Sequence, residues 1–361
     1  MAVWTSSLEN MVKLNQSFEG KRVWLSGHTG FKGSWVSEWL LQLGAVVHGY
    51  ALVPDTTPAL FDQLDLAGRL EHEVADIRDS ESVRQSIHSF RPDFVIHMAA
   101  QPLVRRSYTI PVETYETNVM GTINVLEALR SLPSSCSAVI VTTDKCYENH
   151  ESGRAYEEQD SLGGHDPYSS SKAMAEIATS AYRNSYFLKS PVRVASARAG
   201  NVIGGGDWAE DRIVPDAMRA LNQGCKIAVR NPRAVRPWQH VLEPLGGYLT
   251  LAAGLAENAS LATAFNFGPG SDSNRTVEDL VTEILKNRQG TWEDASHPNA
   301  LHEATLLNLS VEKAGRLLGW KPRWNFEETI RQTVTWYDQV HRNAVTPIEI
   351  TRRQIAEYQG N

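Results

Sequence analysis

The sequence predicts an α/β fold, a doubly wound parallel sheet with helices on both faces, followed by a smaller C-terminal lobe. Three observations predict it. Short β-branched apolar runs alternate with amphipathic stretches through the first half of the chain. A glycine-rich turn, Gly27-His-Thr-Gly30-Phe-Lys-Gly33, closes the first run and opens a helix. Beyond Asn201 the alternation gives way to glycine, proline, tryptophan and arginine.

Taken in order, residues 21–26 (KRVWLS) read as the first strand, because the run is short, apolar and stopped by glycine. Residues 34–43 carry apolar side chains at helical spacing, and 45–50 (AVVHGY) return to a buried strand. A third strand is predicted before Asp76-Ile77, and 80–90 form the next helix. Residues 94–98 (FVIHM) and 138–141 (AVIV) are strands, separated by one long helical stretch over 113–132. A helix from Tyr168 and a strand near 192–197 continue the alternation. Strand, helix, strand, helix requires crossover connections and hence a parallel sheet. The second region shows long loops (NVIGGGDW, VRNPRAVRPWQHV) and ends in helices near 276–286, 311–318 and 327–341. The expected division is residues 1–199 with about 239–265 for the dinucleotide lobe, and 200–238 with 266–361 for the second lobe.

The 361 residues, 42% hydrophobic and 21% charged, suffice for two lobes around an ordinary core. A formal net charge of -7 offers no basic face to a phosphate backbone, which excludes general nucleic-acid binding. Three cysteines without C-x-x-C spacing argue against a disulfide framework or a cysteine-rich metal site, and point to a reducing cytoplasm. The first residues show no basic leader with an apolar core, and no run is long enough to span a membrane.

Glycines where a first strand meets a helix let the backbone turn tightly and approach a pyrophosphate at the helix N-terminus. The G-x-x-G-x-x-G turn therefore predicts a Rossmann-like dinucleotide site. Tyr50-Ala-Leu-Val-Pro lacks the usual acidic residue closing the second strand, so ribose recognition is unassigned. No Lys or Arg lies between Lys32 and Arg69, which favours NAD over NADP, Lys32 itself being the exception. Asp76 reads either as an adenine-side contact or as a solvated turn residue.

Tyr168 and Lys172 are four apart on a helix, so both lie on one face. An ammonium beside a phenol favours the phenolate and so lowers the pKa of a base. Upstream, the strand at 138–141 stops at Thr142-Thr143-Asp144-Lys145. Asp144 and Lys145 reach one site only if the backbone turns there, since side chains alternate along a strand.

With these residues in place, the chain resembles the extended short-chain dehydrogenase/reductase family from Gly27 to about Trp320. The resemblance rests on the glycine turn, the HMAA segment, Asn118, Tyr168 and Lys172, NVIGGGDW and LGWKPRW. It implies NAD held by Gly27, Thr29, Gly30, Phe31, Lys32, Gly33, Asp76, Ile77, Ala99, Ala100, Asn118, Tyr168 and Lys172. Tyr168 is then the base that deprotonates a sugar hydroxyl, and Lys172 holds the nicotinamide ribose. Asn118 supports the lysine through a water. Nucleotide-sugar 4,6-dehydratases of this family carry Thr-Asp-Glu where Thr143-Asp144-Lys145 stands. There the aspartic acid protonates the departing C6 hydroxyl and the glutamate takes the C5 proton. Lysine replaces that glutamate here, as C5 base or as stabiliser of the enolate. TDKCY, GHTGFKGSW, MAAQPLVRRSY, GNVIGGGDW and RPWQHVLEP are similar to the branch acting on CDP-glucose.

A sugar diphosphate needs local cations on an acidic protein. Arg212, Arg230, Arg233 and Arg236 cluster in the second region with Trp208 and Trp238 between them. The resemblance makes Arg212 and Arg236 diphosphate or nucleotide contacts and Asn201 a phosphate or sugar contact, with Trp208 in the same set. Any one arginine reads equally as a solvated loop residue. Gln239 and His240 are weaker candidates, and His240 also reads as a buried, satisfied histidine. The resemblance further implies a homodimer packed through the Tyr168 helix and the 113–132 helix. Its rivals are a nucleotide-sugar 4-epimerase, a dehydratase for another nucleotide hexose, and a nonenzymatic NAD-sensing protein that would lack Tyr168 or Lys172.

Overall fold

The computed structural model describes residues 14–150, 153–296 and 307–360; the expectation about a leader falls on residues 1–13, outside them. Strands β1 (Arg22–Ser26), β2 (Val46–Ala51), β3 (Glu71–Val74), β4 (Phe94–His97), β5 (Cys136–Val141), β6 (Val192–Ala199) and β7 (Ala264–Phe267) form one sheet. Their order is β7-β6-β5-β4-β1-β2-β3, and every pair is parallel. The direction of winding reverses between β1 and β4, so the carboxyl ends of these strands border the crevice where such sheets bind ligands.

The pleat explains the apolar runs. Val23, Leu25, Phe94, Ile96, Val139 and Val141 face one core, while Trp24, Val95, Ala138 and Ile140 face the other. Helices cover both faces: α1 (Phe31–Gln42), α2 (Ser80–Phe90), α3 (Gly121–Arg130) and α4 (Pro167–Tyr182) come from the first half. The second half supplies α5 (Ile213–Asn222), α6 (Leu242–Glu257), α7 (Val277–Asn287), α8 (Phe326–His341) and α9 (Pro347–Gln359). Small sheets (Ile227–Val229 with Trp292–Asp294, Val235–Pro237 with Asn274–Thr276) stand with α5 and α7 in the C-terminal region.

Two departures from the sequence reading have local causes. The helix expected over 113–132 is three segments: Pro111–Tyr115, a wider π-turn at Glu116–Met120, and α3. The π-turn holds Asn118, whose side chain accepts from Gln101 N at 2.8 Å and donates to Ser171 Oγ at 2.8 Å. Such bulges place a side chain that a regular helix would carry past its partner. The second departure is β7, with no strand expected beyond 197; it extends the sheet beside β6, with Ala264 opposite Ser196. Its short AFNF run is broken by a buried polar residue, Asn266, which weakens the apolar signal.

The C-terminal landmark is anchored from below. Glu243 on α6 accepts from Arg323 N and Trp324 N at 2.9 and 2.8 Å, and from Tyr358 Oη at 2.8 Å. Helix α9 returns to the first lobe, where Arg352 and Arg69 both hold the buried Glu38 of α1, at 2.7 and 2.6 Å.

Candidate active site

The glycine turn is built by close packing. Gly27 takes φ +76°, and a Cβ there would stand 2.7 Å from the Ala99 nitrogen. A Cβ at Gly33 would lie 2.0 Å from the Gly27 carbonyl oxygen. Gly30, by contrast, meets nothing nearer than 3.5 Å. Thr29 fixes the loop by donating to Leu52 O at 2.9 Å. Ser26 Oγ accepts from Met98 N and Ala99 N, both at 3.1 Å, and so holds the Ala99-Ala100 segment over the turn. Gly30 caps α1 without a side-chain hydrogen bond, no acidic residue stands in its first turn, and Lys32 does. Uncapped N–H groups with a cation beside them fit a dinucleotide pyrophosphate. Phe31 packs above Gly204, whose Cβ would meet the ring at 3.2 Å.

Asp76 and Ile77 follow β3. The Asp76 carboxylate is engaged by Arg78, at 2.6 Å to Nη2 and 2.9 Å to the backbone N, which holds it below the usual carboxylate range. Ile77 is buried, and its carbonyl accepts from Asn124 at 3.0 Å.

At the end of β5 the backbone does turn. Asp144–Cys146 form a single 3-10 turn capped by Thr143, whose hydroxyl accepts from Lys145 N at 3.4 Å and donates to Asp144 Oδ1 at 2.9 Å. Asp144 is buried, and burial raises its carboxyl pKa despite Lys145, Thr143 and Arg236. A Cβ at Gly200 would lie 2.9 Å from Asp144 Oδ2 and 3.0 Å from Pro237 Cγ, so glycine is what leaves the carboxyl its place.

Tyr168 and Lys172 share one buried face of α4. Lys172 Nζ reaches Val141 O at 3.4 Å. The expected lowering of the tyrosine by its lysine is not what dominates in the chain alone. Burial pushes Tyr168 up to about 12, against a side-chain hydrogen bond with Thr143 and the Arg212 cation. Burial brings Lys172 down to about 8, Lys32 adding to the effect. Burial likewise brings Lys32 to about 8, with Arg212 adding to it and Asp144 opposing; its amine stands 5.9 Å from the Tyr248 ring centroid. Asn118 meets α4 through Ser171.

The substrate-side candidates divide. Arg236 is buried and acts on Asp144, while Arg212 pairs with Asp207 at 2.8 Å and acts on Tyr168. Asn201, next to Gly200, accepts through its carbonyl from Gln239 N at 3.3 Å. Arg230 pairs with Asp211, which also holds Arg105 at 3.2 Å, and Arg233 is exposed. His240 is fully buried between the Trp35 and Trp324 rings, at 5.8 and 4.7 Å, and accepts from Leu242 N at 3.3 Å, which matches its reading as a buried histidine. Trp208 is half-buried, donating to Gln63 at 3.0 Å and packing edge-on against the Tyr337 ring. Trp238 is buried too, donating to Arg275 O at 3.0 Å.

Comparison with known proteins decides the family. A profile described as GDP-mannose 4,6 dehydratase matches residues 25–333. The chain belongs to the GDP-mannose 4,6 dehydratase family. It is 46% identical over 351 residues to the CDP-glucose 4,6-dehydratase of Salmonella typhimurium, covering 94% of this chain and 97% of that protein. Among solved structures it resembles a UDP-glucose 4-epimerase of Thermus thermophilus in complex with NAD, at 27% identity and a TM-score of 0.71, covering 90% and 100% of the two chains. The fold is also that of a dTDP-glucose 4,6-dehydratase from Streptomyces venezuelae, at 23% identity and a TM-score of 0.76, covering 91% and 99%.

In this member of the GDP-mannose 4,6 dehydratase family, sequence reasoning passed over Gly200, Tyr248, Glu176 and Arg198. Gly200 is invisible without the Asp144 contact, and Tyr248 comes from a distant helix. Glu176 did leave a signal: it lies four residues after Lys172 and eight after Tyr168, on the same face.

Proposed function

We propose that the chain is a CDP-glucose 4,6-dehydratase that binds NAD and converts CDP-glucose to CDP-4-keto-6-deoxyglucose and water. The observation that carries the reading is Asp144, a buried carboxyl with a raised pKa beside Thr143 and near Tyr168. A 4-epimerase needs no such acid. The likeness to the Salmonella enzyme along nearly the whole chain supports the nucleotide.

When bound, NAD supplies a reversible hydride acceptor. Gly27, Gly30 and Gly33 admit its pyrophosphate and Lys172 holds the adjoining ribose. Tyr168 takes the proton of the C4 hydroxyl, with Thr143 beside it. The resulting ketone acidifies C5, and Asp144 gives its proton to the departing C6 hydroxyl. Lys145, on the same turn, serves C5 by taking its proton or by holding the enolate charge. Arg212 and Arg236 grip the diphosphate, so the sugar stays enclosed between the two halves of the reaction.

Lys32 and Lys172 give the cofactor site a pH dependence. Both amines lose charge as pH rises through about 8. NAD affinity of the free chain is therefore expected to fall through that range, on the order of tenfold for each ammonium that is neutralised. Calorimetric titrations on either side of it measure this, and an affinity that is flat or rises refutes the assignment.

The reaction is tested with CDP-glucose deuterated at C4. The expected product has lost one water and carries deuterium at C6, with no added reduced cofactor. Deuterium at C4 of a galactose-configured product establishes epimerisation instead.

A homodimer is part of this proposal. Val112, Met120, Met174 and Ile177 leave apolar surface exposed on α4 and on the segment leading into α3, the two elements of the expected interface. We place the enzyme in the cytoplasm, on the three unpaired cysteines. Among the described residues no helix is long and apolar enough to cross a membrane.

A further inference from the structure

Behind the turn that carries Asp144 and Lys145 lies a buried ion pair. Glu176 of α4 and Arg198 of β6 meet at 2.8 Å, their side chains 1% and 4% exposed. Both carboxylate oxygens are engaged: Oε1 accepts from Thr142 Oγ1 at 2.5 Å, and Oε2 from Ser196 Oγ and Arg198 Nη2, each at 2.8 Å. Arg198 Nη1 donates to Tyr147 Oη at 2.7 Å, and that hydroxyl donates in turn to Asn266 Oδ1 at 2.7 Å. The guanidinium also lies 4.9 Å from the centroid of the Tyr147 ring, which stacks on Tyr156.

The partners on the chain are telling. Thr142 stands immediately before the catalytic turn and Tyr147 immediately after it. Within the turn the bonds donated by backbone N–H groups are long: Cys146 N to Thr143 O, Tyr147 N to Asp144 O and Lys145 N to Thr143 Oγ1 are each 3.4 Å. Bonds of that length hold a conformation weakly. No proline or glycine stiffens or shapes the segment. Its geometry is thus imposed from outside, by Gly163 N on the Cys146 carbonyl at 2.9 Å and, at its two ends, by hydrogen bonds to charged groups in a dry interior.

We infer that Glu176 and Arg198 are positioning residues that bracket residues 143–146 and hold Asp144 and Lys145 in register for elimination, a role that rests on the dehydratase reading above. The pair is suited to it. Burial alone would neutralise Glu176, but Arg198, Thr142 and Ser196 outweigh it and keep the carboxylate ionised. The helix bearing Tyr168 and Lys172 has separate supports, Asp166 as its N-cap and Asn118 through Ser171. C4 oxidation meets the turn only through Thr143, which hydrogen-bonds Tyr168, whereas elimination needs both Asp144 and Lys145, so loosening the bracket disturbs elimination more.

Removing Glu176 would strand a buried guanidinium and endanger folding, so the test uses the turn's own ends. Tyr147→Phe removes one hydroxyl and keeps the stacked ring; Thr142→Val removes the other, and Thr142→Ser restores it. Single-turnover mixing of NAD-loaded enzyme with CDP-glucose separates formation of the reduced cofactor from its reoxidation, and product masses follow water loss. In both deletions reoxidation is expected to slow between about 10- and 100-fold, as a misplaced group does, with formation changed less than about threefold. Thr142→Ser is expected to recover most of the loss. Equal slowing of both steps, no slowing, or failure of serine to rescue overturns the inference while leaving the reaction intact. A wild type that releases no water from CDP-glucose overturns the dehydratase reading itself, and this role with it.

Discussion

Tyr168→Phe is expected to lower turnover of CDP-glucose by about 10²- to 10⁴-fold, the usual contribution of a positioned acid/base group. The ring is buried on α4, so phenylalanine keeps the packing and removes only the hydroxyl. NAD affinity and the thermal midpoint should therefore stay close to wild type. Because Tyr168 acts before any other group, no reduced cofactor should form in a single turnover. A variant keeping more than about a tenth of the wild-type rate contradicts the role. The raised pKa sharpens this expectation. Burial keeps the Tyr168 phenol protonated in the chain alone.

Asp144→Asn should divide the reaction in two. The amide fills the same buried place beside Thr143 and Gly200 but has no proton to give. C4 oxidation should proceed while elimination slows by about 10²- to 10⁴-fold, so reduced cofactor accumulates in a single turnover. The sign of the pH effect follows from the raised carboxyl pKa. Asp144 keeps its proton above the ordinary carboxylate range, and wild-type elimination falls as pH rises through the raised value. That limb should vanish in the variant. Normal water loss without accumulation removes Asp144 from the acid role. Exchange of the C5 proton with solvent that is undiminished in Lys145→Met would likewise remove Lys145 from C5.

Much of the fold was legible because it is local. Buried parallel strands must be short apolar runs, and the turn that joins β1 to α1 admits no side chain at Gly27 or Gly33. One helical turn separates Tyr168 from Lys172, so their common face follows from spacing. Less local features escaped. The π-turn around Asn118 exists to meet Gln101 and Ser171, both distant in sequence, and nothing in the segment itself announces it. β7 carries a polar residue because Asn266 serves Tyr147 and Tyr156 across the core.

The sequence by itself determined the glycine turn, the alternation that makes the sheet and the common face of Tyr168 and Lys172, since each depends on period or on backbone freedom within a few residues; Thr143, Asp144 and Lys145 became candidates through the family resemblance of their motif. Only the tertiary structure decided their states and their company. It put His240 between two tryptophans, turned the chain at Asp144 and set Gly200 against that carboxyl. It raised Tyr168 and Asp144 while lowering Lys32 and Lys172. The physical reason is that desolvation and long-range charge belong to a place in the fold, and that place is made by β5, β6, α4 and α6 together.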